Sequence, residues 1–275
     1  AAGGGGVEEG RIDATILSVE EVPQLATRLG SGPEAVNLTE HLLSALQGCG
    51  IDNARIEVEG GPELPILDGS ALEWVQAIRA VGRVEATDRE GSPRECHVLK
   101  PAKPVLVQRG DAYISLVPAD RPTLTYGIDF TAKSGAIGKQ WFSWSPWEEP
   151  ELYAGGIAPA RTFCCLEDVE AMRGMGLIKG GNEDNAMVAD RDSWHNLDRL
   201  RFPLDEQARH KLLDLVGDLA LLGLEGNSGI PCAHIVAFKA GHLMHCELAR
   251  AILESCQEER REAGWVPVPA QGSLT

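Results

Sequence analysis

Positive charge is scarce in this 275-residue chain: 25 Lys and Arg stand against 41 Asp and Glu, a net charge of −16. The longest basic run is Arg260-Arg261, so the electrostatic footprint of a nucleic-acid binder is missing and attraction to an anionic bilayer is disfavoured. A small anionic ligand is still within reach, because a few inward-pointing Lys or Arg can hold one. Long apolar runs are missing too. The best candidate, Leu212 to Leu224, is broken by Asp214 and Asp218, which excludes a transmembrane helix there. No Cys-x-x-Cys occurs among the seven cysteines, which read as free, mostly buried thiols of a reducing compartment. No Gly-x-Gly-x-x-Gly follows a strand, and there is no Walker A loop or Gly-x-Ser-x-Gly elbow. The start, Ala1 to Gly6, has no basic segment and no apolar core, so it does not read as a signal peptide.

What is present is an ordinary globular composition, 43% hydrophobic and 24% charged. A chain this long buries roughly three quarters of its unfolded surface and needs neither disulfides nor a structural metal to fold. The patterning predicts an α+β protein. A β-like pattern covers Arg11 to Val22. A helix opens at Asn37–Thr39 and stops at Gly48 and Gly50; a period-two strand, Asn53 to Glu59, and a helix, Ala71 to Val81, follow. Strands are expected at Val105–Gln108, Ala112–Val117, Thr123–Phe130, Asn185–Ala189 and Ile230–Phe238, and helices at Glu167–Met175, Leu204–Leu222 and His242–Cys256. The order helix, strand, turn, helix occurs at 39–81 and again at 204–256. This suggests two domains of similar α+β build packed on each other through helices, with a site between them. The expected organisation is a flexible Gly-rich arm (1–10), an N-terminal domain (11–95) short at its start, a C-terminal domain (96–264) and a loose tail (265–275).

The chemistry-bearing residues fall on these helices. His210 and Asp214 are four apart, hence on one helical face, and Asp218 extends the stripe by a turn. The surrounding positions are apolar, and a buried charge there must be paired or bound to metal. On spacing alone the plainer reading, a hydrogen-bonded His–Asp pair with Lys211 as counter-ion, is favoured. Glu40-His41 is not part of a His-Glu-x-x-His motif, which excludes the zincin arrangement. Two His and one Asp would nonetheless make a three-ligand catalytic zinc site with Glu40 beside the open position. His242 sits at a strand-to-helix junction, where it could protonate a leaving group, with Lys239 nearby for an anion. His97, His195, His234 and His245 have no acidic partner in register and read as structural or surface residues. The Trp-rich stretch Gln140 to Trp147 reads as packing rather than a base-stacking platform.

Six segments in order resemble the UDP-3-O-acyl-N-acetylglucosamine deacetylases of lipid A biosynthesis. They are Thr39-Glu40-His41-Leu42-Leu43-Ser44-Ala45-Leu46; Pro65-Ile66-Leu67-Asp68-Gly69-Ser70-Ala71; Ala160-Arg161-Thr162-Phe163; Gly180-Gly181 with Asn185-Ala186; His210 to Asp218; and Lys239-Ala240-Gly241-His242. The resemblance implies a zinc amidase that releases acetate from an acylated UDP-N-acetylglucosamine. It implies two domains of similar βαβ-type layered sandwich with helices packed between the sheets, one Zn2+ at their interface on His41, His210 and Asp214, and Glu40 as general base. His242, held by Asp218, would be the general acid. Thr162 would hydrogen-bond the oxyanion with Lys211 beside it, and Phe163 would line an acyl passage built from a strand–helix insertion around 160–190. Asp168 and Lys239 would face the sugar nucleotide. A monomer is expected, cytoplasmic in a bacterial source and organellar (mitochondrial) in a eukaryotic one. The alternatives are a non-catalytic sugar-nucleotide binder and a zinc amidase with another substrate. The family's opening strand pair with a Gly-Leu-His-Ser-like segment has no counterpart here, and Cys164-Cys165 and Asn182-Glu183-Asp184 depart from the usual pattern near the acyl passage.

Overall fold

A computed structural model describes residues 10–20, 25–176, 178–223, 227–259 and 266–267. The expected arm, but for Gly10, and the expected tail, but for 266–267, lie outside the described residues. The first helix is α1 (Glu40–Gly48), followed by α2 (Leu72–Val81) and a short strand β1 (His97–Val98). Strands β2 (Val105–Arg109), β3 (Ala112–Pro118), β4 (Thr123–Asp129) and β5 (Lys139–Trp144) come next, then a single turn α3 (Pro150–Leu152). The chain continues through β6 (Phe163–Cys165), α4 (Leu166–Gly174), β7 (Met187–Ala189) and the long α5 (Glu206–Ala220). It ends with β8 (Asn227–Ser228), β9 (Ala233–Phe238), α6 (His242–Glu259) and β10 (Val266–Pro267). The fold is α+β.

The main sheet runs β2-β3-β9-β4-β5, with every neighbour antiparallel except β4 and β9. That parallel pair forces a crossover, and the long connection from β5 to β9 supplies it, carrying α5 with it. Alternation along the strands puts Ile114, Leu116, Leu124, Tyr126, Ile128, Ile235 and Ala237 on the buried face. Helices α5 and α6 pack over that face. On the other face Trp141 stacks on Phe238 at 5.3 Å. Helix α5 is buried on nearly all sides, with Leu212, Leu213, Leu215, Val216 and Leu219 fully covered, because α1 packs against it away from the sheet. An all-round apolar helix is stable only in such a central position.

Three expectations are corrected. The β-like pattern expected at Arg11–Val22 yields, over the described residues 11–20, a 3-10 turn at Ile16–Ser18 and an isolated bridge from Val19 to Leu29, while 21–22 lie outside the described residues. The Ile16 side chain is drawn into the core and its N–H donates to Leu221 O, so core anchoring overrides the pattern. Asn53–Glu59 forms no regular secondary structure, joins no ladder and leaves Ile56 42% and Val58 37% exposed. A period-two pattern makes a strand only where a neighbour supplies backbone partners, and none of the described residues does so. The internal repeat therefore holds for its helices but not for its first strand.

Candidate active site

Helices α1, α5 and α6 bring their residues together along one face of α5. Helix α1 begins with Glu40 and His41, which are 3% and 4% exposed because the start of α1 is pressed onto α5. Gly217 permits that approach: a Cβ there would lie 2.0 Å from the Glu40 carbonyl oxygen. Helix α5 contributes His210, Asp214 and Asp218 at helical spacing, all buried. Helix α6 begins with His242 immediately after the turn that ends β9, where Lys239 adopts φ +55°.

His41 Nε2 and His210 Nε2 lie 3.6 Å and 3.3 Å from Asp214 Oδ1, and donor atoms of all three residues lie within 4.8 Å of one another. The tautomer of His210 is fixed. Its Nδ1 lies 3.0 Å from Ala160 O, a carbonyl can only accept, and so Nδ1–H donates and Nε2 carries a lone pair. Burial pushes His210 down to about 4, so it is neutral at pH 7. Asp214 Oδ2 accepts from Lys211 Nζ at 2.7 Å, while Oδ1 is buried with no hydrogen-bond partner. Burial opposes the charge on both side chains, but their mutual attraction, together with His210 on the aspartate side, holds Asp214 well below and Lys211 above their usual ranges.

This arrangement passes a direct test for a metal. An orphaned carboxylate oxygen faces imidazole nitrogens in a dry site, an arrangement that costs several kcal/mol unless a cation or proton intervenes. A tetrahedral zinc site with arms of about 2.1 Å has ligand–ligand edges of about 3.4 Å. The observed 3.3 Å and 3.6 Å separations match those edges.

The proton-transfer groups stand beside it. Burial raises Glu40, and the nearby His242 and His41 offset this only in part. His242 Nδ1 donates to Asp218 Oδ2 at 2.8 Å, and His242 Nε2 lies 3.9 Å from Glu40 Oε1 and 3.8 Å from Asp214 Oδ2. Burial works against the proton on His242, but the charges of Asp218 and Glu40 outweigh it and raise the imidazole to about 9. Burial likewise works against charge on Asp218, yet His242 and His245 hold it down to about 2.

The remaining expected residues are placed as follows. The Thr162 backbone is pinned on both sides: its N–H donates to Gly69 O at 2.7 Å and its carbonyl accepts from Met187 N at 2.8 Å. Phe163 packs edge-on to Phe130 at 5.3 Å, and its ring lies 6.4 Å from that of His210, so it borders the ligand cluster. Asp168 is on α4, where both carboxylate oxygens accept from Lys133. Lys239 Nζ is engaged by Asp111 Oδ2 in the turn between β2 and β3. Sequence reasoning missed two neighbours. His245 does have an acidic partner: it is fully buried, and its Nδ1 lies 2.7 Å from Asp218 Oδ2, with Tyr126 Oη 2.9 Å from its Nε2. Its place three residues after His242 on one helix was a usable signal. Thr27, in the segment before α1, carried none.

A family model described as UDP-3-O-acyl N-acetylglycosamine deacetylase matches residues 5–254. Over 246 residues the chain is 48% identical to the Arabidopsis thaliana protein named Probable UDP-3-O-acyl-N-acetylglucosamine deacetylase 1, mitochondrial, covering 87% of this chain and 74% of the relative. It is 46% identical over 230 residues to the UDP-3-O-acyl-N-acetylglucosamine deacetylase of Nostoc sp., covering 83% and 77%. The protein of the same name from Thermosynechococcus vestitus is 46% identical over 243 residues, covering 88% and 78%.

Proposed function

The chain belongs to the UDP-3-O-acyl-N-acetylglucosamine deacetylase family, and from that premise we propose that it hydrolyses the N-acetyl group of a UDP-3-O-acyl-N-acetylglucosamine, releasing acetate, as a step of lipid A biosynthesis. The observation that carries the reading is the convergence of His41, His210 and Asp214 on one point with Asp214 Oδ1 left unpartnered. We assign these three residues as ligands of one Zn2+. The ion, when bound, supplies Lewis acidity, making a water nucleophilic near neutral pH and polarising the amide carbonyl.

The chain's own groups do the rest. Glu40 Oε1 faces the site and accepts the proton of the attacking water; its raised pKa brings it closer to neutrality, where a general base works best. Protonated His242 presents Nε2 to the departing amine, which cannot leave as an anion, while Asp218 on Nδ1 fixes the ring and maintains its charge. Thr162 is assigned to the developing oxyanion, with Lys211 behind it through Asp214. Phe163 is assigned to the acyl passage. Asp168 and Lys239 are assigned to the sugar nucleotide, in exchange for their present partners Lys133 and Asp111. The proposed division is an N-terminal unit (11–95) and a C-terminal unit (96–264) with the insertion around 160–190. The mitochondrial designation of the Arabidopsis relative supports an organellar location in a eukaryotic source, and the cytoplasm is the proposed compartment in a bacterial one.

The test measures metal content beside acetate release from the acylated UDP-sugar. His210→Ala is expected to lose the metal and the activity together; His242→Ala is expected to keep the metal and lose about a hundredfold or more in kcat. Equal metal loss in both variants would overturn the division of roles, and a zinc-loaded wild type that releases no acetate would overturn the reaction.

A further inference from the structure

We propose that Thr27 is a positioning residue that fixes the proton acceptor and the proton donor of the site relative to one another. The inference rests on the assignment of Glu40 and His242 as base and acid. Thr27 belongs to none of the helices that carry those groups, yet it bonds to both sides. Its backbone N–H donates to Glu40 Oε2 at 2.9 Å. Its hydroxyl donates to Asp218 Oδ1 at 2.5 Å and lies 3.3 Å from His242 Nδ1. Thr27 is 2% exposed, so water does not compete for these bonds.

The bonds settle which carboxylate oxygens are left to act. With Oε2 taken by Thr27, Glu40 turns Oε1 toward His242 Nε2, 3.9 Å away. With Oδ1 taken by the Thr27 hydroxyl, Asp218 offers Oδ2 to the Nδ1–H groups of His242 and His245. Asp218 is anchored through both oxygens and cannot rotate, whereas Glu40 depends on the Thr27 N–H as its one hydrogen bond among the described residues. Thr27 itself is framed independently of the site. Its carbonyl accepts from Thr39 N at 3.3 Å and from Thr39 Oγ1 at 3.2 Å, which straps the segment to the start of α1. Two residues on, Leu29 and Val36 exchange both backbone hydrogen bonds at 2.8 Å. Thus a loop held by backbone bonds transmits a fixed spacing to two side chains from different helices, the support that a catalytic pair needs from its surroundings.

The experiment compares Thr27→Val, which keeps the shape and the backbone N–H but removes the hydroxyl, with Thr27→Ser, which restores it. Zinc content, KM and kcat are measured separately, together with the downfield N–H proton resonance of the His242 imidazole, assigned by its loss in His242→Ala. Thr27→Val is expected to keep zinc and KM, lower kcat about tenfold or more, and shift the His242 resonance; Thr27→Ser is expected to return kcat to within about threefold of wild type. An unchanged kcat in Thr27→Val, or a Ser variant as impaired as the Val variant, overturns the proposal. If Thr27→Val is insoluble, Thr27→Ala is judged by the same criteria. Should the wild type release no acetate, the function has failed separately; the proposal then stands or falls on whether the His242 resonance moves in Thr27→Val.

Discussion

Gly217→Ala adds one methyl group and is expected to disable the site without touching any functional side chain. The added Cβ would lie 2.0 Å from the Glu40 carbonyl oxygen, 2.8 Å from its carbon and 3.0 Å from its Cα. These are backbone atoms, so no rotamer change relieves the clash. Ordinary contact begins near 3.5 Å, so the start of α1 must retreat by about 1.5 Å. Glu40 and His41 ride on α1, while His210 and Asp214 stay on α5, so the proposed ligand cluster is pulled apart along its own dividing line. Such a site tolerates displacements of about 0.5 Å, and a 1 Å error costs about a hundredfold in rate. Overpacking should also destabilise the fold by about 1–3 kcal/mol, against which alanine's better helix propensity returns about 1 kcal/mol. The control is Gly174→Ala at the end of α4, where a Cβ meets nothing within 4 Å. Zinc stoichiometry, acetate release and thermal melting of both variants decide the matter. A Gly217→Ala protein that keeps its zinc and at least a third of wild-type kcat would show that the close approach of α1 to α5 does not set the ligand geometry.

Three further outcomes are expected. Asp218→Asn removes the foremost charge that raises His242 to about 9, so the alkaline limb of kcat/KM, which reports loss of the His242 proton, should move to lower pH; an unmoved limb assigns that limb to another group. In the fold itself, His242, titrating above its ordinary 6.5, contributes stability that is complete below pH 6.5 and fades as pH rises through about 9, so a urea-unfolding series over that range should show a decline that Asp218→Asn flattens. Glu206→Ala leaves the backbone N–H groups of Arg161, Arg201 and Phe202 without their acceptor and strands the buried Arg161, and should lower stability by about 3–5 kcal/mol in urea titration; a loss under 1 kcal/mol would show that water replaces the carboxylate.

Local pattern served well wherever local pattern decides the structure. The helical spacing of His210, Asp214 and Asp218 placed three side chains on one face, and α5 bears that out. Four strands of the main sheet, β2, β3, β4 and β9, were legible because each lies against a partner and a covered face, whereas β5 was not: its Trp-rich sequence reads as packing, and among the described residues it is an edge strand paired with β4 alone. Asn53–Glu59 shows the converse: Ile56 and Val58 alternate with charged residues, but no described strand lies alongside. Spacing could not bring His41 to His210, because that contact crosses about 170 residues of chain and depends on one missing Cβ at Gly217; the family resemblance supplied it. Thr27 was invisible for a related reason: a threonine in a loop has no periodicity, and its two carboxylate partners lie 13 and 191 residues away.

The charges of the site also explain why these parts belong together. Glu40, Asp214 and Asp218 are three carboxylates packed against two cations, Lys211 and His242, with His210 held neutral by burial. With all three ionised the cluster is one negative charge in excess in a dry interior, which is costly, and the excess is focused on the unpartnered Asp214 Oδ1. A divalent cation held there, as proposed, would turn the balance to one positive charge; as Glu40 takes the proton of the attacking water its own charge is lost, so two positive charges would face the single negative charge on the former carbonyl oxygen. A monovalent cation would leave one positive charge rather than two at that point. The charge balance of the proposed ligand set therefore favours a divalent ion for meeting the oxyanion, in line with the 3.3 Å and 3.6 Å spacings around Asp214 Oδ1.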